Sequence, residues 1–439
     1  MDFVNQARKA GVVGAGGGGF PAHVKLAAKA DTVIANGAEC EPLLHKDAAI
    51  MERAAERVVH GLLLAREAVG ARRAVVAVKA KKKAAVEAIR RACEGTSAEF
   101  HPLGDYYPAG DEYDLVHTAT GRLIPPGGLP IHVGVVVQNV ETLANLAAAA
   151  ENRPVTHKTL SVAGAVRRPA TFTVPLGTPL RAVFEAAGGV TDATPLLCLG
   201  GLMMGQTTHD LDTPVTKTLT GVVVLPGNHS LARRKQRPPA SQARIGKSAC
   251  DQCRYCTEYC PRYLLGYAVE PHQVMRGLGF TATGAAPWNE WAALCCSCGL
   301  CTLFACPEDL YPKEACDAAK AELRKTEWKW TGAANVKPHP IREGRRVPIS
   351  ALVRRMHLGA FDLPSPYEER AVASPRLALL LKQHAGASAK PAVRIGQKVA
   401  AGEPIAAPDE GALGALLHAP CRAEVLETLP DRILLQRLS

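Results

Sequence analysis

Two cysteine runs, CDQCRYCTEYCP at residues 250–261 and CCSCGLCTLFACP at residues 295–307, decide how this sequence is interpreted. Each run places three cysteines at intervals of three residues and adds a fourth cysteine directly before a proline. Three thiolates at this spacing wrap one iron–sulfur cube, because each sulfur must reach a different iron, and the fourth cysteine ligates the other cluster. Zinc sites use two CxxC pairs, not two triplets. The sequence therefore predicts two [4Fe–4S] clusters.

The two predicted ligand sets exchange their fourth members. Cys296 lies too close to Cys298 for the usual loop, so Cys295 is the better ligand. Cys316 lies beyond the motif and is expected to be a buried core thiol. The predicted sets are Cys250, Cys253, Cys256 and Cys306 for one cluster, and Cys295, Cys298, Cys301 and Cys260 for the other.

Length and composition predict a cytoplasmic protein of three or four domains. The chain has 439 residues, which is too long for one core. Of its 14 cysteines, most lie in the two runs, which indicates a reducing compartment and not a disulfide framework. No apolar run approaches a membrane span, and no signal peptide is recognisable, so we expect no transmembrane segment. The net charge is +11, but no run of basic residues is interleaved with aromatic residues, so we expect no nucleic-acid partner.

A glycine-rich stretch, GVVGAGGGGFPAHVKL at residues 11–26, lies near the start of the chain. Residues 2–10 are predicted to form the first helix of this domain, with a targeting peptide as the alternative. Successive glycines let the backbone approach a phosphate or a planar ring, although a glycine-rich loop alone is a weak signal. The sequel NGAECEPLLHKD, residues 36–47, follows a short apolar strand, and strand ends are where α/β sheets bind ligands. Together the two motifs predict a cofactor site.

These motifs resemble the FMN-binding region shared by the 51-kDa subunit of respiratory complex I and the RnfC proteins of Rnf complexes. The similarity is greatest with the cobalamin reductases of propanediol-utilisation microcompartments. The resemblance implies that the glycine loop holds the FMN phosphate, that Lys25 lies by the flavin, and that Phe20 and Glu41 meet the nicotinamide nucleotide. Gly18 and Ala22 depart from the family, which usually has Ala and Thr there. The residues to which the resemblance assigns binding roles in these motifs are Gly14, Gly16, Gly17, Gly19, Phe20, Lys25, Asn36, Glu39 and Glu41.

Two later motifs continue the resemblance. The segment YYPAGDEYDLV, residues 106–116, is similar to the one that lines the flavin and the nucleotide in these relatives. The segment NVET, residues 139–142, matches their element beside the flavin. For any single polar residue in these motifs the alternative role is a surface cap or a turn. The implied cofactor-binding residues are Tyr107, Gly110, Asp111, Glu112, Asn139, Glu141 and Thr142.

The resemblance spans nearly the whole chain and implies an α/β multidomain protein. Its parts are a complex-I-51-kDa-like FMN/NADH domain, a β-grasp (SLBB) domain, a ferredoxin-like dicluster helical module and a C-terminal all-β barrel-sandwich hybrid. The expected boundaries are 1–152 for the FMN/NADH domain, 155–228 for the SLBB domain, 229–248 for a linker, 249–322 for the dicluster module, 323–375 for a connector and 376–439 for the barrel-sandwich hybrid.

These parts imply an NADH-dependent oxidoreductase that passes electrons through FMN and two [4Fe–4S] clusters to a one-electron acceptor. The resemblance favours cobalamin as the acceptor, a corrinoid adenosyltransferase as a partner, and the lumen of a bacterial microcompartment, beside its shell proteins, as the location. The alternatives are an RnfC-like subunit of a membrane-associated complex, an NADH oxidase module with another acceptor such as ferredoxin, and a scaffold without turnover. No catalytic acid or base is expected, because the chemistry belongs to the cofactors.

Overall fold

The computed structural model describes residues 2–279, 289–372 and 374–438. Residues 280–288 of the expected dicluster module therefore lie outside the described residues, as do the outermost residues of the first and last expected domains. Within the described ranges, no helix is both long and apolar enough to cross a membrane.

A four-stranded parallel sheet forms the centre of the N-terminal domain, with the strand order β3-β2-β1-β5. The chain adds β2 and β3 on one side of β1 and then returns to place β5 on the other side. The crevice outside the carboxyl ends of β1 and β5 is therefore a topological switch point, where sheets of this class bind ligands. The strands are β1 (Thr32–Gly37), β2 (Arg73–Lys79), β3 (Ala98–Leu103), β4 (Tyr106–Tyr107, outside this sheet) and β5 (Val135–Asn139).

Helices cover the parallel sheet, whose apolar strands are largely buried, as the run AVVAV in β2 predicts. The helix α1 coincides with the expected first helix, and α6 begins directly at the end of β5. The helices are α1 (Phe3–Lys9), α2 (Ala22–Leu26), α3 (Lys46–Ala68), α4 (Lys83–Cys93), α5 (Glu112–Thr120) and α6 (Val140–Ala150).

The second domain is a mixed five-stranded sheet with one helix packed on it, as a β-grasp domain requires. Its strand order is β7-β6-β10-β8-β9, in which β6 and β10 are parallel and the other pairs are antiparallel. Phe172 and Phe184 join the sheet to the helix in one buried core. The elements are β6 (His157–Gly164), β7 (Ala170–Pro175), α7 (Leu180–Ala186), β8 (Leu196–Leu199), β9 (Gln206–Thr208) and β10 (Gly221–Leu225).

The segment 229–248 differs from the linker that its proline- and arginine-rich composition indicates. It folds into two helices, α8 (Ser230–Lys235) and α9 (Pro239–Ala249). Leu231 is buried in a core that also contains cysteine-loop residues. The proline that begins α9 does not break it, because the first helical N–H has no partner inside a helix. The SLBB domain is thus joined to the cysteine region by folded structure.

The cysteine region consists of short helices and turns. Proline is the first residue of α11, α12 and α13, a position where the N–H is not needed. Its longest helix follows the second cysteine run and packs beside it. The elements are α10 (Tyr255–Glu258), α11 (Pro261–Leu264), α12 (Pro271–Gly277), a 3-10 turn (Glu290–Ala292), a π turn (Cys301–Ala305) and α13 (Pro312–Lys325).

The connector packs across two domains. Its strand β11 (Val347–Pro348) pairs antiparallel with β4 of the N-terminal domain, and α14 (Ile349–Arg355) follows it. Further along, Thr171 N donates to Pro366 O over 2.8 Å, so the connector covers the edge of β7 in the SLBB sheet. A covered edge is protected from pairing with other chains.

The C-terminal domain is a pair of small antiparallel sheets with the strand orders β12-β18-β17-β14 and β13-β15-β16. Ile405, Leu417 and Ile433 form its interior, which is continuous with the core of the N-terminal domain. The strands are β12 (Arg376–Leu380), β13 (Lys390–Pro391), β14 (Lys398–Val399), β15 (Pro404–Ala407), β16 (Leu417–His418), β17 (Ala423–Thr428) and β18 (Arg432–Arg437).

Candidate functional site

The glycine loop, residues 14–20, lies beside the carboxyl end of β5. Gly14 N donates to Phe20 O over 2.9 Å, and Gly19 N donates to Gly14 O over 3.1 Å, so the loop forms a closed turn. Ala15 N donates to Thr142 Oγ1 over 2.9 Å, which attaches the loop to the start of α6. The sequence motifs that contain Gly14 and Thr142 therefore meet at the topological switch point.

The exposed part of this loop, residues 16–18, has room for a bound group. Gly17 has a φ of +107°, in the region that favours glycine. A Cβ added at Gly17 or Gly18 would meet no heavy atom within 4 Å, whereas one added at Gly16 would lie 3.2 Å from the Asn139 side chain. A surface of bare backbone next to open space allows a phosphate or a ring to approach closely, so the residues of this loop fit a bound FMN.

Lys25 and Glu112 form an accessible charged pair near the ends of the strands. Lys25 Nζ lies 3.1 Å from Glu112 Oε1 and donates to Val137 O in β5 over 3.0 Å. Their side chains are 28% and 42% exposed, so a ligand can reach both. Close by in the fold, Asn36 Nδ2 donates to Gly110 O over 2.9 Å, which joins the end of β1 to the segment before α5.

Glu39 caps the start of α3, since its carboxylate accepts from Asp47 N over 3.0 Å. Asn139 Nδ2 donates to the Asp47 carboxylate over 2.9 Å, so this group also contacts the end of β5. Burial, and then the negative charge of Asp47, raise the pKa of Glu39 to about 7. This acid therefore titrates near neutral pH close to the crevice.

Glu141 is a buried anchor of the glycine loop. Its Oε2 lies 2.9 Å from Lys46 Nζ and 2.5 Å from Lys158 Nζ, and Lys158 Nζ also donates to Ala15 O over 2.7 Å. Burial alone would raise the pKa of Glu141, but the two ammonium groups outweigh it and the pKa is lowered. The carboxylate is thus paired with two lysines of the protein. Through Lys158 it connects the glycine loop to the SLBB domain.

Glu41 is likewise engaged by protein groups. Its two carboxylate oxygens accept from Met203 N over 2.8 Å and from Met204 N over 2.9 Å, in the SLBB loop of residues 200–205. Burial raises the pKa of Glu41. Gly201 is required there, because an added Cβ would lie 2.3 Å from Glu41 Cδ. The family resemblance assigns Glu41 to the nucleotide, whereas here it joins two domains.

Tyr107 and Asp111, both expected beside the flavin and nucleotide, connect the N-terminal domain to the cysteine loops. Tyr107 is buried, and its hydroxyl donates to Cys298 O over 2.7 Å. Asp111 caps α5 through Tyr113 N at 3.1 Å and accepts from Arg262 Nη2 over 2.9 Å. Sequence reasoning did not find Arg262, because its only local signal is its position two residues after the last cysteine of the first run.

One predicted cluster ligand set lines a single small cavity. The cysteine outside the set, Cys296, also lines this cavity. Cys316 is fully buried and lies against Cys295, as expected of a core thiol. The predicted ligands in the cavity wall are Cys260, Cys295, Cys298 and Cys301.

The other predicted set gathers around Cys256. Burial, and then the neighbouring Cys306, Cys250 and Cys253, raise the pKa of the Cys256 thiol to about 12. The fourth cysteine of each run therefore lies with the triplet of the other run. Among the described residues, no three His, Cys, Asp or Glu side chains are close enough to hold one metal ion. The thiolates of an iron–sulfur cube bind four different irons, so both cysteine groups fit clusters by donor type and arrangement.

Four family models match the chain in order. They are the Nuo51 FMN-binding domain over residues 7–148, the SLBB domain over 159–207, the 4Fe-4S dicluster domain over 249–311 and the RnfC Barrel sandwich hybrid domain over 368–433. These matches confirm the predicted fold class and the predicted FMN and [4Fe–4S] cofactors.

Curated relatives match over nearly the full length. The chain is 41% identical to cobalamin reductase PduS of Citrobacter freundii, over 98% of this chain and 95% of that protein. It is 42% identical to cobalamin reductase PduS of Salmonella typhimurium, over 94% and 92%. It is also 36% identical to one subunit of the proton-translocating ferredoxin:NAD(+) oxidoreductase complex of Clostridium ljungdahlii, over 58% and 55%.

Proposed function

Because the chain belongs to the family of the cobalamin reductases PduS and is an NADH-linked iron–sulfur flavoprotein, we propose that it transfers electrons from NADH to the cobalt of cobalamin. The observation that carries this proposal is the direct contact between the flavin domain and the cysteine loops, where Tyr107 Oη lies 2.7 Å from Cys298 O. FMN exchanges a hydride with nicotinamide and releases electrons singly, and iron–sulfur clusters carry single electrons.

The FMN site of this proposal is the crevice between β1 and β5. Backbone N–H groups of residues 17 and 18 would face the phosphate, because a Cβ added at either residue would meet no heavy atom within 4 Å. Lys25 supplies a positive charge that Glu112 and Val137 O hold in place. Glu112, being 42% exposed, is available to the nicotinamide nucleotide, while Glu41, which the resemblance also assigns to the nucleotide, positions the SLBB loop.

The cluster sites of this proposal are the two cysteine groups. The near cluster is held by Cys260, Cys295, Cys298 and Cys301, whose loops contact the flavin domain. The far cluster is held by Cys250, Cys253, Cys256 and Cys306. Because Tyr107 and Asp111 bond to these loops directly, the spacing between flavin and near cluster is fixed by the protein and not by a flexible linker.

Cobalamin as the acceptor is supported by the two relatives named cobalamin reductase, which match over nearly the full chain. The relative from the proton-translocating complex matches over 58% of this chain only. A cobalt centre accepts electrons one at a time, which suits delivery from a cluster. A corrinoid adenosyltransferase partner, shell proteins and the lumen of a bacterial microcompartment belong to the same proposal.

The test is anaerobic incubation of the holoenzyme with NADH and cob(II)alamin, in which cob(I)alamin is trapped by an alkylating agent. We expect NADH-dependent alkylcobalamin. Cys298→Ala should lower its rate at least about tenfold while NADH still bleaches the flavin, because this cysteine belongs to the near cluster. Cys421→Ala, at a half-buried cysteine of the C-terminal domain, is the control and should match the native protein.

Rapid reduction of ferredoxin or quinone without trapped cob(I)alamin would overturn the choice of acceptor and favour an electron-transfer role within a larger complex. Absence of any flavin bleaching by NADH would overturn the oxidoreductase proposal as a whole.

A further inference from the structure

Arg262 is a buried cation between the flavin domain and the near-cluster cavity. Its residue is only 7% exposed, although arginine is rarely buried unless it is paired. Nη2 donates to Asp111 Oδ2 over 2.9 Å, and the guanidinium carbon lies 3.4 Å from the centroid of the Tyr113 ring. Both contacts come from the start of α5, so the flavin domain holds this side chain in position although it belongs to the cysteine region.

The other two guanidinium nitrogens of Arg262 are not satisfied by protein acceptors. Nε and Nη1 are both buried and make no hydrogen bond to an oxygen or nitrogen among the described residues. The contact that Arg262 makes on this side is with Cys296, and a thiol is only a weak acceptor. A buried donor without a strong acceptor is costly, so these N–H groups indicate a negatively charged neighbour that the polypeptide alone does not provide.

The near-cluster cavity lies on this side of Arg262. Cys296 lines that cavity together with Cys260 and the other proposed ligands. Burial raises the pKa of the Cys260 thiol, and the backbone N–H groups of Tyr263 and Arg262 oppose this rise. Arg262 thus contributes both a backbone dipole and a full positive charge beside the same group of sulfurs.

We propose that the positive charge of Arg262 raises the reduction potential of the near cluster. The inference rests on the proposed ligand set of Cys260, Cys295, Cys298 and Cys301. A cluster gains one negative charge when it is reduced, so a fixed cation in a buried environment stabilises the reduced form more than the oxidised form. Asp111 offsets part of this effect, because its carboxylate is bound to the same guanidinium.

A raised potential of the near cluster affects the direction of electron transfer in the proposed reaction. A raised potential favours electron transfer from the flavin domain to the cluster in contact with it. A guanidinium stays protonated at all pH values at which the protein is folded, so the charge of Arg262 itself does not vary with pH.

The test is an EPR-monitored redox titration of both clusters in the holoenzyme, after iron content has shown that both are present. In Arg262→Gln we expect the ratio of reduced to oxidised near cluster at a given potential to fall about tenfold, which for a one-electron couple equals about 59 mV. The far cluster should not shift and serves as an internal control. Arg262→Lys keeps the charge and should stay close to the native potential.

Asp111→Asn separates an electrostatic role from a structural one. Asparagine still caps a helix, but the charge that offsets Arg262 is removed, so the near-cluster potential should rise where that of Arg262→Gln falls. Arg181→Gln, which removes an exposed pair with Asp212 in the SLBB domain, should leave both potentials unchanged.

The inference is overturned if Arg262→Gln leaves both potentials unchanged, if Arg262→Lys falls as far as Arg262→Gln, or if Arg262→Gln and Asp111→Asn shift in the same direction. If Arg262→Gln loses the near cluster, the Asp111→Asn titration decides alone, and a fall or no change overturns the inference. Failure of cobalamin reduction leaves this titration intact, so the two proposals fail separately.

Discussion

Gly17 combines a positive φ of +107° with open space above its α-carbon, where we propose the FMN phosphate to lie. In Gly17→Leu a side chain would occupy that space, so we expect FMN occupancy to fall at least about tenfold, measured by absorbance and by release of the flavin from purified protein. The clusters should remain, because their cysteines lie in another part of the fold.

The control for backbone strain at this position is Gly70→Leu. Gly70 also has a positive φ, +68°, and open space around an added Cβ, but it lies between α3 and β2, before the start of a strand. Gly70→Leu should keep its FMN. Full occupancy in Gly17→Leu would place the flavin elsewhere.

Cys253 and Cys296 are both part of the cysteine runs, yet we assign them opposite roles. Cys253→Ala should lose one cluster, so that iron falls from about eight atoms to about four per chain while FMN stays bound. Cys296→Ala should keep all the iron, because Cys295 supplies the ligand in that triplet. Iron and sulfide analysis of reconstituted protein is the measurement. Bound zinc, or loss of iron in Cys296→Ala, would contradict the assignment.

Asp47, at the start of α3, contacts both the Glu39 carboxylate and Asn139 at the end of β5. The pKa of Glu39 is about 7 in the folded protein against an ordinary value of 4.5, so the folded state binds more protons than the unfolded state between these values. Stability therefore falls as pH rises through this window. One pKa unit corresponds to about 1.4 kcal/mol, so we expect an effect on the order of 2 kcal/mol after allowance for partial solvent access.

The measurement is the thermal midpoint of native protein and Glu39→Gln at pH 5.5 and pH 8. Glutamine has no such charge to bury, so its midpoint should fall less between the two pH values. Glu87→Gln, at an exposed acid of α4, is the matched control and should follow the native protein. Equal pH dependence in native protein and Glu39→Gln would show that Glu39 is not the titrating group.

The SLBB and C-terminal domains both bind the segment of residues 11–19 in the N-terminal domain. Lys158 Nζ of the SLBB domain donates to Ala15 O over 2.7 Å, and Lys217 Nζ of the same domain donates to Gly11 O over 2.7 Å. Ala385 N of the C-terminal domain donates to Gly19 O over 3.0 Å. The proposed FMN loop is therefore shaped by the assembly of domains and not by the N-terminal domain alone.

Lys217 is the clearest test of this assembly. It is 2% exposed, and its Nζ also donates to Leu416 O over 2.7 Å, so one side chain joins three domains. Lys217→Met leaves Gly11 O and Leu416 O without this donor, and a buried polar group that loses its hydrogen-bond partner costs about 1–3 kcal/mol. We expect a lower thermal midpoint and faster release of the C-terminal domain in limited proteolysis.

Lys382→Met, at an exposed lysine of the C-terminal domain, controls for loss of a charge and should behave as the native protein does. A Lys217→Met protein with native stability and native proteolysis would show that the three-way contact does not hold the domains together.

The cysteine triplets, the glycine loop and the order of the four domains can all be predicted from short stretches of the sequence. These features are local, because ligand spacing, bare backbone and hydrophobic periodicity are written within short stretches of chain. The position of Cys260 beside the second triplet and of Cys306 beside the first was also predictable, since it follows from the same spacing. The segment 229–248 was not, because its prolines open a helix and its few apolar residues acquire a core only when neighbouring domains pack on them.

The contacts of the polar motif residues, in contrast, depend on how the domains pack. Glu41 binds backbone of residues 203 and 204, Tyr107 reaches Cys298, and Asp111 reaches Arg262, each across more than 100 positions in sequence. A carboxylate or hydroxyl at a strand end suits a cofactor and a neighbouring domain equally well, so its local sequence does not distinguish the two. Burial distinguishes them, because a buried polar group must find a partner, and that partner is set by how the domains pack.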